Sequence, residues 1–243
     1  MTNFFLLIDR SIIEISGLDS KEFLQGLITN DINKISDKSL IYSCMLNAQG
    51  RFLYDFFIFS KDEKIFIDCY LPRRDEIVKK LNFYKLRSKV EIKINDEIGV
   101  FFSKENGEGL SFEDPRNVKM GYRSYFLKDK ISINQDPNNY HYTRIINKIP
   151  EGEYDLTYEK SFILEFGFDK LNAVDYSKGC YVGQEPTARI HHLGQIRKEV
   201  IYTKLSQELE KNSKITCEDQ TLGVVLSSVS FNGEIHALIL KAI

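Results

Sequence analysis

The chain has 243 residues, 42% apolar and 28% charged, with a formal net charge of −2 at neutral pH. That composition is enough for a substantial folded core. The near-balance of charge excludes a global field that would draw the chain to nucleic acid or to an anionic membrane. No stretch approaches the roughly 20 apolar residues that span a bilayer, so neither nucleic acid nor membrane is an expected partner.

Two apolar segments open the chain, Phe4–Asp9 and Ile12–Ser16, and both read as strands. The first lacks a basic lead and a small-residue cleavage site, and it is not Arg-rich, so it is expected to be structure rather than a signal or transit segment. The expected location is therefore cytoplasmic and bacterial-like. Gly17-Leu18-Asp19-Ser20 supplies a turn with Asp19 or Ser20 as the helix cap. The helix that follows turns Phe23, Leu24, Leu27 and Ile28 inward, and Thr29-Asn30-Asp31 stops it.

Ser39–Leu46 and Phe52–Phe59 read as a hairpin around Asn47-Ala48-Gln49-Gly50-Arg51. Lys64–Tyr70 is a further strand. Pro72 suits the first turn of a helix reaching about Leu86, with Ile77, Val78, Leu81 and Tyr84 inward. Val90–Ile94 and Ile98–Phe102 resume strand patterning, and Ser103–Pro115 reads as a loop. Gly121–Phe126 follows, and a helix is expected from about Asp136 to Lys148. Beyond Gly194 only short strands and turns remain, with Asn232-Gly233 a strong hairpin signal. The pattern predicts an α+β body with a small all-β tail.

The four cysteines, Cys44, Cys69, Cys180 and Cys217, form no C-x-x-C pair. They read as reduced thiols, and no metal site is expected. Cys44, Cys69 and Cys217 lie in strand-like stretches and read as small buried hydrophobes. Cys180 differs, because it sits in Lys178-Gly179-Cys180-Tyr181-Val182-Gly183-Gln184-Glu185. Glycines there permit unusual backbone angles or close approaches, and a nearby cation favours a thiolate. The run therefore predicts a shaped turn presenting sulfur as a nucleophile, a redox partner or a metal contact.

Glu165 lies in the apolar run Phe162–Gly167. It is either a strand residue facing water or a carboxylate at a pocket wall, able to accept two N–H bonds from a ring edge. Arg189, His191, His192 and Arg197 make either a solvated basic face or a rim for an anionic tail. No G-x-G-x-x-G, P-loop, G-x-S-x-G or H-E-x-x-H pattern occurs, so the common nucleotide and hydrolase chemistries lack their anchors.

The octapeptide Lys178–Glu185 resembles the signature of the YgfZ-type folate-binding proteins, relatives of the glycine cleavage aminomethyltransferase (T-protein). Phe23-Leu24-Gln25-Gly26 with Thr29-Asn30-Asp31, the Asn47–Asp55 hairpin, and Asp114-Pro115-Arg116 with Gly121-Tyr122-Arg123 resemble further shared blocks. Thr187-Ala188-Arg189, His191-His192 and Ile196-Arg197-Lys198 resemble the branch serving iron–sulfur cluster assembly. The resemblance implies ferredoxin-like α+β halves around a central folate channel in residues 1–195, with a subdivision near 95–145. It implies a β-barrel in residues 196–243.

The resemblance further implies a tetrahydrofolate cofactor and a role with iron–sulfur assembly proteins or client apoproteins. Cys180 and Lys178 become the working thiol and its cation. Glu165 faces the pterin edge, Asn30, Asp31, Asn47, Tyr181 and Gln184 join the folate-binding set, and Arg189 faces the folate tail. The alternative implied function is a folate-dependent aminomethyltransferase or demethylase acting on a small amine. Its catalytic acid is not matched in this sequence, with Asp68 and Asp75 lying nearby.

Overall fold

The computed structural model describes residues 3–107, 109–128, 136–194, 196–217 and 220–243. In chain order, β1 (Phe5–Leu6) and β2 (Arg10–Ser16) precede helix α1 (Ser20–Gln25). The hairpin β3 (Ile41–Leu46) and β4 (Phe52–Lys61) follows, then β5 (Lys64–Tyr70), α2 (Arg74–Lys85) and β6 (Glu91–Asn95). The middle of the chain holds β7 (Ile98–Ser103), β8 (Leu110–Glu113), β9 (Tyr122–Leu127), α3 (Asn138–Ile146) and α4 (Gly152–Asp155). Last come α5 (Gln184–Leu193), β10 (Lys198–Leu205), β11 (Lys214–Cys217), β12 (Gln220–Phe231) and β13 (Glu234–Ala242).

The strands make three antiparallel sheets, ordered β3-β4-β5-β2-β6, β1-β7-β9-β8 and β10-β13-β12-β11. The first is central, and it is buried on both faces. Alternate residues of a strand point to opposite sides. Ile13, Ile15, Phe56, Ile58, Ile65 and Ile67 accordingly meet Leu24, Ile77 and Leu81 of α1 and α2. Their neighbours Ile12, Phe57, Phe59 and Phe66 face the second sheet, α3 and the tail strands. Double burial explains why β3 and β4 read as near-continuous apolar runs rather than alternating ones.

The tail sheet is open by its pairing order, with β10 and β11 at its two edges among the described residues. Its buried Leu226, Val229, Leu238 and Leu240 share one core with α3 and the central sheet. Asn232 and Gly233 take φ of 51° and 79°, the positive pair that a two-residue hairpin turn demands.

Four local expectations change. Asp19 stands at the cap position of α1, but its carboxylate instead accepts the Lys89 N–H at 2.6 Å. The stretch read as a loop, Ser103–Pro115, contains β8, paired to β9. Residues Ile163–Phe166 form a short 3-10 turn rather than a strand, closed by Gly167 at φ 72°. Leu27 and Ile28 are buried as expected, but lie beyond the helix, where Ile28 bridges Met45.

Candidate functional site

Three segments that are far apart in sequence meet in one seam: the end of α1 through Asp31, the β3–β4 turn, and the run that leads into α5. The Val182 N–H donates to the Gly26 carbonyl at 3.1 Å, and the Asp175 N–H to that of Thr29 at 3.0 Å. The buried Thr29 hydroxyl donates to the Ala173 carbonyl at 2.6 Å and accepts the Cys44 N–H at 2.8 Å. Asn30 donates its amide to the carbonyls of Tyr42 and Asn172, at 2.9 and 2.7 Å. A helix end leaves carbonyls without partners, and this one is finished by residues some 140 to 150 positions later.

Lys178 completes that finish. Its buried ammonium donates to the carbonyls of Gln25, Ile28 and Asn30 at 2.8, 2.6 and 2.9 Å. Burial pushes its pKa down to about 8, against the pull of Asp31 and Asp175. All three ammonium protons point into the seam. Lys178 is therefore an anchor for the run, a role the expectation of a cation beside the Cys180 thiol did not include.

The glycines fit this close approach. Gly183 takes φ 83°, and a Cβ on it would lie 2.5 Å from the Asn47 carbonyl oxygen and 2.8 Å from Leu46 Cβ. Asn47 holds its own turn by accepting the N–H groups of Gln49 and Arg51, at 3.0 and 2.9 Å. Tyr181 is buried, Thr187 bonds back to the Gly183 carbonyl at 2.9 Å, and Gln184 opens α5. Between these fixed points the chain bulges outward at Gly179-Cys180, and Cys180 is exposed. Cys44 and Cys69 are buried, and burial pushes the Cys69 thiol up to about 12. The Cys217 side chain lies outside the described residues.

The other expected residues divide. Asn30, Asp31, Asn47, Lys178, Tyr181 and Gln184 share the seam. Asp31 uses its carboxylate on Gln25 and on the Asn33 N–H, and those bonds lower its pKa. Arg189 is exposed on α5. Glu165 is half-buried, and Lys198 engages one of its oxygens at 2.9 Å.

A pterin edge needs both oxygens of such a carboxylate. A cavity of about 320 Å³ opens beside Asn30, lined also by Lys34, Tyr42, Pro115 and Asn172, with no acidic residue in its lining. Lys198 would have to release Glu165 before that carboxylate could offer both oxygens to a pterin edge.

Sequence reasoning missed a buried charge cluster on the inner face of the central sheet. Asp68 accepts from Arg10 Nε at 2.7 Å and from Arg123 Nε at 2.6 Å. Glu151 accepts from Arg116 at 2.6 Å and from the Tyr140 hydroxyl. Burial alone would raise the Glu151 pKa. Arg116, Arg10, Arg123 and Arg144 outweigh it and hold the carboxyl well below the usual range. The guanidiniums of Arg123, Arg116 and Arg10 lie 3.8, 4.7 and 5.6 Å from the Phe57 ring centroid.

The signal was available: Asp55 and Asp68 are acids inside apolar strands, the criterion that singled out Glu165. The cluster also bears on the alternative chemistry. Asp68 is fully buried between two arginines, and Asp75 is exposed against Arg74. Asp68 is therefore closed to an amine substrate arriving from solvent.

No family model matches the chain. It is 33% identical over 219 residues to an iron–sulfur cluster assembly factor IBA57 homolog, mitochondrial, of Pyricularia oryzae, covering 82% of this chain and 56% of that one. Against the mitochondrial IBA57 of Mus musculus the identity is 30% over 239 residues, covering 84% and 67%. Against that of Homo sapiens it is 28% over 258 residues, covering 90% and 72%. The chain spans little more than half the length of the fungal relatives it matches.

Among solved structures, the glycine cleavage aminomethyltransferase of Bartonella henselae superposes with TM-score 0.66 at 10% identity, covering 99% of this chain and 78% of that one. The fold is therefore that of the aminomethyltransferases. The relatives are mitochondrial proteins, which corrects the expectation of a bacterial-like cytoplasmic location. Reduced thiols and a balanced charge read alike in any reducing aqueous compartment, so composition could not distinguish the two.

Proposed function

Because the chain belongs to the family of the iron–sulfur cluster assembly factor IBA57, we propose that it serves iron–sulfur cluster assembly by presenting Cys180 to an incoming protein. The observation that carries this reading is the contrast at the seam. Cys180 is exposed, while the residues on either side of it are fixed, Lys178 by three carbonyls and Val182 by the Gly26 carbonyl.

A rigid mount holds a reacting group in place without an ordering cost at the moment of encounter. The cluster is the cargo of such a protein, and the thiol is the group that would meet it or its carrier. Tetrahydrofolate has no part in this reading, which rests on the thiol and its mount alone.

The test is maturation of a cluster-requiring apoenzyme by purified components, with the full chain carrying Cys180→Ser. Loss of maturation with an unchanged circular dichroism spectrum supports the thiol. Undiminished maturation sinks it. Adding tetrahydrofolate is expected to change neither outcome.

A further inference from the structure

One end of the molecule, remote in sequence from the Cys180 run, carries apolar side chains that nothing in the fold covers. Leu18, Phe83 and Leu86 are 89%, 75% and 88% exposed. They lie on adjoining pieces of chain. The Gly17–Asp19 turn is bonded to the segment after α2 through Asp19 N–H to the Lys89 carbonyl at 3.5 Å and Lys89 N–H to the Asp19 carboxylate at 2.6 Å.

Gly17, at φ 116°, allows that contact, since a Cβ there would sit 2.1 Å from the Lys89 oxygen. Leu86 is held outward by φ 46°, an angle that a leucine rarely adopts. Phe83 lies three residues earlier, on the α2 face opposite the buried Ile77 and Leu81.

Cations gather beside Phe83 and Leu86. Lys79, Lys80, Lys85, Arg87 and Lys89 flank Phe83 and Leu86 on α2 and the segment after it, and none is in an ion pair among the described residues. The nearby acids are mostly engaged: Asp75 by Arg74, Glu76 by Arg73, and Asp19 by the Lys89 backbone. Glu22 lies in the shallow groove between α1 and Leu86, and Asp37, Asp62 and Glu63 line the groove on the Leu18 side, away from Phe83 and Leu86 in sequence. Protruding aromatic and leucine side chains flanked by unpaired cations are the chemistry of an interfacial anchor. The charge balance near zero hides this, because it sums over the whole surface.

We infer that this end docks on an anionic lipid surface, with Phe83 and Leu86 entering the headgroup boundary and the flanking lysines and arginine meeting the lipid phosphates. No helix of the described residues is long and apolar enough to cross a membrane, so the contact is peripheral.

The chain has no tryptophan, so Phe83→Trp gives a single reporter at the proposed contact. The full chain is titrated with vesicles of phosphatidylcholine alone and of phosphatidylcholine mixed with phosphatidylglycerol. Only the mixed vesicles are expected to bind it and to shift the tryptophan emission to the blue. Arg87→Glu and Lys79→Glu should each weaken binding by about fivefold or more. Raising salt from about 0.1 M to about 1 M, which shortens the screening length from about 10 Å to about 3 Å, should largely abolish it.

Phe83→Ser with Leu86→Ser should weaken binding at least tenfold. No binding to mixed vesicles at low salt overturns the proposal. So does binding that Phe83→Ser and Leu86→Ser leave unchanged, since that is adsorption by charge alone. Self-association in solution that the same pair of serines abolishes would instead identify a second copy as the occupant, and would also overturn it.

Discussion

The Lys178 ammonium donates to the Ile28 carbonyl at 2.6 Å, joining residues 150 positions apart. That bond and its two companions fasten the Cys180 run to the end of α1. Lys178→Met keeps most of the stem but leaves three carbonyls unpartnered. Each buried, unsatisfied acceptor costs about 1–3 kcal/mol, and water reaching the seam offsets part of the sum. The expected loss is about 2–4 kcal/mol by urea denaturation, with faster proteolysis between α5 and the preceding turn. A loss below about 0.5 kcal/mol would mean that the three bonds hold little.

Gly183→Ala is expected to act on the same seam from the other side. Its φ of 83° disfavours a side chain by about 1–2 kcal/mol, and the added methyl meets the Asn47 carbonyl at 2.5 Å. Gly179 has open space around it, so Gly179→Ala should cost under about 1 kcal/mol. Thermal melts of the two variants separate a requirement for glycine at 183 from general sensitivity of the run.

Much of this was legible in sequence, for reasons that differ by element. The hairpin around Asn47–Arg51 and the Asn232-Gly233 turn declared themselves through turn residues with a specific backbone need. The seam residues were legible through the octapeptide. The role of Lys178 was not, because sequence spacing put its charge beside Cys180 whereas the backbone aims it inward.

The 3-10 turn at Ile163–Phe166 was hidden by its apolar composition, since a short apolar run does not separate strand from helix. β8 was hidden by the polar, Gly-containing stretch around it, and its pairing to β9 is tertiary. The buried arginines were invisible one by one. Arg10, Arg116 and Arg123 come from separate segments, and only the stacked sheets bring them to Phe57.

The buried cluster should be fragile to loss of one partner. Asp68→Asn removes the charge that Arg10 and Arg123 share. Breaking a buried pair in this way costs about 3–5 kcal/mol. Chemical denaturation checks it, and a loss under about 1 kcal/mol would mean that water reaches the cluster.

Acid should destabilise the contact between α3 and the tail sheet. Arg144 donates from Nε to His141 Nδ1 at 3.1 Å and from Nη2 to the Ser227 hydroxyl at 3.0 Å. Burial first, then Arg144, lowers the His141 pKa from 6.5 to about 4, with Glu151 opposing. Tyr140 and Tyr154 pack against the ring.

The unfolded chain binds the proton more readily, so stability rises with pH between about 4 and 6.5 and is lost as pH falls through that window. The contribution is at most about 3 kcal/mol. His141→Gln keeps an acceptor for Arg144 but cannot titrate, and its stability should be flatter over that range. Equal pH slopes for the two proteins would exclude His141 as the source.

The claim on which the account turns is that the exposed Cys180 thiol does the work. The direct measurement is the activity of a cluster-dependent enzyme in cells that lack their own copy of this factor, complemented with the wild-type chain or with Cys180→Ala at matched protein levels. The account predicts that Cys180→Ala restores no more activity than an empty vector. Restoration equal to wild type would contradict it.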